Sequence, residues 1–294
     1  MQVVASYEPL SQQPEYIEAN REFLRSLPVD SVRRVLDLAC GTGTLSELFL
    51  ELQPLAGIVG IDLSRESLEI ARKLFLKKKL LVEDYTALNA ALASGKGSIQ
   101  LIEGSAYDLT LDSQSMDLVL MGNAIHLLLD KDKLLQGLGR VLCAGGLFAF
   151  NSCFFVGTYP EGTESVYTEW IKEALAIVTS KDKELRQAGE VGIVRQRGKG
   201  GRAFSKGWMS PEQWHEVLKR NGFDVLREYQ RTVMLTQHSL ETIGAYAGFA
   251  EVMLSGYPVE VASEALQEAA GRAFRNLEIK EIPRLWLEIT AFKK

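Results

Sequence analysis

The sequence predicts a doubly wound α/β fold: a mostly parallel, seven-stranded sheet with helical cap insertions. Three observations lead there. Short β-branched or apolar runs alternate with helical patterns through the first half of the chain. Those runs are apolar nearly throughout, as strands covered on both faces are. Right-handed crossovers, the rule for parallel connections, then put the intervening helices on both sides of the sheet.

Each element follows from its residues. Strands are expected at Val32–Leu38, Gly57–Ile61, Ser98–Ile102, Met116–Met121 and Gly146–Phe155, and two more at Phe223–Leu235 and Arg284–Phe292. Helices are expected at Thr44–Leu52, Ser64–Leu76 and Lys131–Leu142. Three connections are longer than a turn requires. Lys77–Gly97 carries a small-residue helix, Thr86–Ala93. Gly157–Arg220 carries a helix at Glu164–Thr179 and then a basic, glycine-rich loop. Thr236–Pro283 reads as two helices, Ser239–Leu254 and Pro258–Phe274, around Gly256-Tyr257-Pro258. No repeat, low-complexity tract or clean linker interrupts the chain. The reading is one domain over 1–294: an N-terminal cap segment (1–31), a core (32–156), and insertions (157–220 and 236–283) that form a substrate cap.

Composition narrows the function. With 294 residues, 46% hydrophobic and 24% charged, the chain is globular and long enough to bury a core. Its 33 basic and 38 acidic residues give a net charge of −5, which argues against a dedicated nucleic-acid binder. No apolar run reaches the roughly 18 residues of a spanning helix. Met1 to Pro9 has neither the basic start nor the apolar stretch of a signal peptide. Cys40, Cys143 and Cys153 cannot all pair and stand at no metal-ligand spacing, so they read as reduced thiols with no metal. A soluble, cytoplasmic protein is expected.

The chemistry-bearing signal is Val35-Leu36-Asp37-Leu38-Ala39-Cys40-Gly41-Thr42-Gly43-Thr44. An apolar strand ends, and a glycine turn opens a helix whose unpaired N–H groups suit a ligand carboxylate. A dinucleotide site prefers G-x-G-x-x-G. Here Leu45 and Ser46 stand where the third glycine would fall, and Asp37 favours a ligand ammonium over a diphosphate. The second strand ends in Asp62, whose carboxylate can accept from both ribose hydroxyls or can cap the helix that Ser64 begins.

The segment from Val35 to Thr44 resembles motif I of the class I S-adenosylmethionine-dependent methyltransferases, and further matches follow in order. Gly60-Ile61-Asp62-Leu63-Ser64 resembles the ribose-binding strand end, and Glu103-Gly104-Ser105-Ala106-Tyr107-Asp108 the segment that cups adenine. Met116 to His126 resembles the fourth strand and the turn beneath the methyl donor, and Arg140 to Gly146 the hairpin before strand five. The matches run from Val32 to Phe155, about half the chain. Ala39 replaces the first glycine of the pattern, and Ser105 stands where an aspartate is common, with Asp108 as an alternative adenine partner. The resemblance implies a Rossmann-like, cofactor-binding core at 32–156 and S-adenosyl-L-methionine as cofactor. It further implies that Asp37, Gly41 and Gly43 hold the methionine end, with Asn123 bordering it, that Asp62 holds the ribose and Ser105 with Ala106 the adenine region, and that Ala39 and Leu63 also belong to the cofactor site.

The acceptor side is read from single residues. His126 follows the fourth strand and has a suitable pKa to take a proton from a hydroxyl, though a packing role competes. Tyr7, Tyr16 and Tyr246 are candidate substrate contacts, each with a core alternative, and Trp208, flanking the basic run, is a candidate apolar contact. Arg195, Arg197, Lys199, Arg202 and Lys206 form a basic run among glycines. It reads as a lid in which Arg197 and Arg202 meet an acidic group, or as a solvated loop. The expected reaction is in-line methyl transfer to an oxygen, nitrogen or carbon nucleophile of a small molecule. Alternatives are a methyltransferase acting on protein or RNA, a silent cofactor-binding protein, and an NAD-dependent oxidoreductase lacking its glycine register. Oligomeric state is not legible.

Overall fold

The computed structural model describes residues 8–196 and 208–294. In chain order these residues form α1 (Glu8–Ser11), α2 (Pro14–Arg25), β1 (Arg34–Leu38), α3 (Thr44–Leu52), β2 (Gly57–Asp62), α4 (Arg65–Lys77), α5 (Tyr85–Ala93), β3 (Ser98–Glu103) and β4 (Met116–Gly122). There follow α6 (Lys131–Val141), β5 (Leu142–Ser152), α7 (Glu164–Gln187), α8 (Pro211–Arg220), β6 (Phe223–Thr236), α9 (Gln237–Ala245), α10 (Ala247–Met253), α11 (Val259–Asn276) and β7 (Glu281–Lys293). A 3₁₀ turn at Ile125–Leu127 follows β4. The strands make one sheet in the order β3-β2-β1-β4-β5-β7-β6. β1 to β5 pair in parallel, and β7 runs antiparallel to β5. The doubly wound, mostly parallel sheet of the sequence reading is therefore the observed one.

The chain divides into two compact units, Tyr16–Thr158 with Trp208–Arg231 and Trp286–Lys294, and Met1–Glu15 with Tyr159–Gly207 and Thr232–Leu285. In the first, one core gathers Phe23 and Leu24 of α2, Leu45 and Phe49 of α3, and Phe75 of α4 against Val35, Leu118, Leu120 and Ala149 of the sheet. Each fully buried phenylalanine or leucine stabilises such a core by roughly 1.5–3 kcal/mol. Local signals set the helix starts. Ser64 accepts the Ser67 N–H at the start of α4, and Ser210 with Gln213 forms a capping box before Pro211 of α8.

In the second unit α7 packs on α11. The Trp170 indole donates to the Leu266 carbonyl at 2.7 Å and stacks on Phe249. Alanines at 262, 265, 269, 270 and 273 keep α11 slim enough for that approach.

Several boundaries depart from expectation. β1 starts at Arg34 rather than Val32, because the Arg33 and Arg34 N–H groups both donate to the Asp117 carboxylate. β5 spans Leu142–Ser152 rather than 146–155. Its register shifts near Gly145, and the strand stops where the Cys153 N–H turns to the Asn123 side chain. The helix expected over 239–254 is two helices, broken at Tyr246, which is extended (φ −71°, ψ 118°). Gly244 and Gly248 flank the break, and glycine weakens a helix interior by about 1 kcal/mol relative to alanine. α7 runs on to Gln187, beyond the expected Thr179, and α6 ends at Val141, one residue early.

Candidate functional site

Four parallel strands deliver the candidate cofactor residues at their carboxyl ends, in the sheet order β3-β2-β1-β4. In open α/β sheets that edge holds the ligand crevice, at the point where strand order reverses, here between β1 and β4. After β1 the chain turns through Ala39 (φ +59°), Gly41 (φ +54°) and Gly43 (φ +88°), three left-handed residues in five. The turn is pinned by the Cys40 N–H on the Ile61 carbonyl (3.1 Å) and the Gly43 N–H on the Cys40 carbonyl (2.9 Å). The two glycines serve different ends. A Cβ on Gly43 would stand 2.6 Å from the ring of buried Phe75, so this glycine permits close helix packing. A Cβ on Gly41 would meet no atom within 4 Å, so the backbone there faces open space.

Beneath this turn lies Asp37, 1% exposed. Its Oδ2 accepts the Ser46 hydroxyl at 2.5 Å, whereas Oδ1 is buried without a hydrogen-bond partner. Burial pushes this carboxyl up to about 7 against the pull of the Ser46 hydroxyl, and the nearby Asp62 charge adds to the rise. A buried carboxylate oxygen with no donor suits a cationic ligand group.

Asp62 sits at the end of the neighbouring strand. Its Oδ2 accepts the Gly41 N–H at 2.8 Å and its Oδ1 the Ser64 N–H at 2.7 Å. The cap of α4 is Ser64 itself, not Asp62. The Gly104 N–H donates to the Asp62 carbonyl at 2.9 Å, which ties the turn after β3 to β2. In that turn the Ser105 hydroxyl accepts the Tyr107 N–H at 3.2 Å, and Ala106 is buried. Leu63 is 70% exposed. Asn123, left-handed at φ +46°, ends β4, and its side-chain oxygen accepts the Cys153 N–H at 2.9 Å.

His126 is buried on the 3₁₀ turn beyond. Its Nδ1 lies 3.4 Å from the Ser152 hydroxyl, and its ring packs against Phe154, tilted by 38° with centroids 4.1 Å apart. Buried Lys131 secures this turn by donating to the Ile125 carbonyl at 2.6 Å and to the Leu128 carbonyl; burial brings its ammonium down to about 8.

The first unit thus brings together Asp37, Ala39, Gly41, Gly43, Asp62, Leu63, Ser105, Ala106, Asn123 and His126 on the ends of four neighbouring strands. In the same unit Tyr16 packs edge-on against Trp286 (5.1 Å), and Trp208 faces Phe154 (5.8 Å). Tyr246 belongs to the other unit, where it forms the α9–α10 break. Tyr7, Arg197 and Arg202, like Lys199 and Lys206, lie outside the described residues. Arg195 is anchored: its guanidinium lies over the Tyr257 ring (5.1 Å) and donates to the Ser255 carbonyl. Sequence reasoning missed Ser46 as the partner of Asp37. It also missed Asn20 and Asn151, two buried amides whose only sequence signal is an asparagine inside an apolar pattern.

A family model described as "Methyltransferase domain" matches residues 30–222. The chain is 30% identical over 127 residues to a demethylmenaquinone methyltransferase of Lactobacillus johnsonii, covering 43% of this chain and 46% of that protein. It is 34% identical over 128 residues to a malonyl-[acyl-carrier protein] O-methyltransferase of Chlorobium phaeovibrioides, covering 44% and 43%. The matched region thus spans less than half the length of these two curated relatives. Among solved structures, the YcgJ protein of Bacillus subtilis shares the fold at a TM-score of 0.51 and 15% identity, over 94% of this chain and 98% of that one.

Proposed function

The chain belongs to the methyltransferase-domain family, the class I S-adenosylmethionine-dependent methyltransferases, and from that membership we propose that it methylates a small-molecule acceptor. One observation carries the cofactor side of the reading: the unpartnered, buried Asp37 oxygen beneath a left-handed glycine turn, with Asp62 at the next strand end. These residues fit the cofactor. Asp37 is placed to receive the ammonium of the methionine part, and the open space at Gly41 admits a ligand against the backbone. Asp62 keeps carboxylate lone pairs for ribose hydroxyls beyond its two backbone bonds. Ser105 and Ala106 are the proposed adenine contacts, with Leu63 beside the ribose and Asn123 along the methionine part.

When bound, S-adenosylmethionine supplies an electrophilic methyl on a sulfonium sulfur. The protein's own contribution is to orient the acceptor and exclude water. Where the acceptor nucleophile is a hydroxyl, His126 is the candidate base. The relatives' names, demethylmenaquinone among them, support a small-molecule acceptor over a macromolecular one. Tyr16 and Trp208 are the proposed acceptor contacts in this unit, and Tyr246, Tyr7, Arg197 and Arg202 remain proposed from the sequence alone.

Calorimetry tests the reading. S-adenosylmethionine and S-adenosylhomocysteine should bind at micromolar levels, with no measurable NAD binding. NAD binding in the absence of any S-adenosylhomocysteine binding would overturn it.

A further inference from the structure

Three buried asparagines run in series through the first unit. The Asn20 side-chain nitrogen donates to the Tyr16 carbonyl at 2.9 Å, and its oxygen accepts the Asn151 side-chain nitrogen at 2.8 Å. The Asn151 oxygen accepts the Asn123 N–H at 2.9 Å, and the Asn123 oxygen accepts the Cys153 N–H at 2.9 Å. Asn151 is fully buried, Asn20 is 1% exposed and Asn123 is 6% exposed. The polarity of this chain has one solution. The N–H groups of Asn123 and Cys153 can only donate: the Cys153 N–H meets the Asn123 side-chain oxygen, and the Asn123 N–H is shared between the Asn151 side-chain oxygen and the Asn151 carbonyl at 3.0 Å. That leaves Asn151 its nitrogen for Asn20, which must answer with its oxygen and turn its own nitrogen to Tyr16. A flip of any member would set like groups against each other, at a cost no water relieves.

The chain joins two parts of the unit that sequence separates. At one end is α2, held by Tyr16 against Trp286 of β7 and, just past its end, by Ser26, whose hydroxyl accepts the Arg227 guanidinium of β6 at 2.6 Å. At the other end is Asn123, the left-handed residue where β4 turns toward His126. Asn151 lies between them on β5, paired in register with Gly122 of β4 and Glu288 of β7.

We propose that Asn20 and Asn151 are positioning residues: through their amides, the seating of α2 fixes the backbone of Asn123 and with it the 123–126 turn of the cofactor site. The inference rests on the methyltransferase reading for what that turn does, and on geometry alone for the coupling. Asn20 itself is not a ligand contact; it acts through Asn151.

The test compares Asn20→Leu with Asn20→Asp, whose carboxyl burial holds as the neutral acid, with an oxygen for the Asn151 amide and an O–H for the Tyr16 carbonyl. Two quantities are read on the full chain: the hydrogen-exchange rate of the Asn123 amide and the Kd for S-adenosylhomocysteine. Asn20→Leu leaves the Asn123 N–H its bond to the Asn151 carbonyl but loosens the side-chain one, so it should speed Asn123 exchange at least threefold and weaken binding at least fivefold, while Asn20→Asp stays within about twofold of wild type in both. Asn20→Ala, which removes the amide without adding bulk, serves if the leucine variant does not fold. A lower Tm with both readouts unchanged would reduce Asn20 to a packing residue and overturn the proposal. If the wild type does not bind S-adenosylhomocysteine, the methyltransferase reading fails instead, and the Asn123 exchange rate alone decides the coupling.

Discussion

Asp62 and Gly41 are joined across two strand ends: the Gly41 N–H donates to Asp62 Oδ2 at 2.8 Å, so the carboxylate shapes the glycine turn as well as facing the crevice. With the Ser64 N–H on its other oxygen, this one side chain holds two backbone donors of the site.

Asp62→Ala is therefore expected to act on two quantities at once. Hydrogen bonds to a charged group contribute roughly 1.5–3 kcal/mol, so loss of the ribose acceptor should weaken S-adenosylhomocysteine at least about tenfold. The same change frees the Gly41 and Ser64 N–H groups, so the melting temperature without ligand should also drop by several degrees. Asp62→Asn keeps one acceptor oxygen but turns its NH2 against the Gly41 or the Ser64 N–H, so it should lose stability as well as affinity. If Asp62→Ala melted lower but bound the ligand normally, Asp62 would be a loop-holding residue only.

What the sequence made legible follows from where the information lies. The glycine turn, Asp37 and Asp62 sit at strand ends within 26 residues of one another, and apolar runs bound them clearly. The open space at Gly41 and the Phe75 contact at Gly43 are different reasons for the same letter, and only packing separates them. Asn20 and Asn151 are 131 residues apart, and neither helical nor strand periodicity marks their pairing. At Tyr246 the apolar spacing continues across the break, so periodicity alone read one helix where two stand.

The two glycines give a paired prediction. Gly43→Ala forces a Cβ against the buried Phe75 ring at 2.6 Å and keeps a left-handed backbone without glycine. Overpacking costs about 1–3 kcal/mol and the left-handed conformation about 1–2 kcal/mol more. Gly41→Ala carries only the second cost, since nothing lies within 4 Å. Denaturant unfolding should therefore rank Gly43→Ala as the more destabilised protein, whereas calorimetry should rank Gly41→Ala as the one that loses affinity out of proportion to stability. Equal effects of both variants on both measurements would mean that the space at Gly41 is not where the ligand approaches.

Asp37 predicts an unusual pH dependence. Burial chiefly pushes its carboxyl from the ordinary value of 3.8 up to about 7 in the fold. The folded state then binds more protons between those two values, so this group favours folding below about pH 4 and loses that contribution as pH rises to about 7. Each unit of the shift corresponds to about 1.4 kcal/mol. Ligand binding should run the other way. An ammonium group placed beside Oδ1 needs the ionised carboxylate, so below about 7 binding must expel a proton. The association constant for S-adenosylhomocysteine should climb by up to about tenfold per pH unit between 5.5 and 7 and level off above it. Asp37→Asn should flatten this rise, bind more weakly at pH 8, and lose less stability than the wild type between pH 5 and 8, because a neutral amide in that site has no charge to bury. Calorimetric titrations and thermal melts at matched pH read both effects. A wild-type affinity that is level from pH 5.5 to 8 would remove Asp37 from the ammonium site and leave it a buried partner of Ser46.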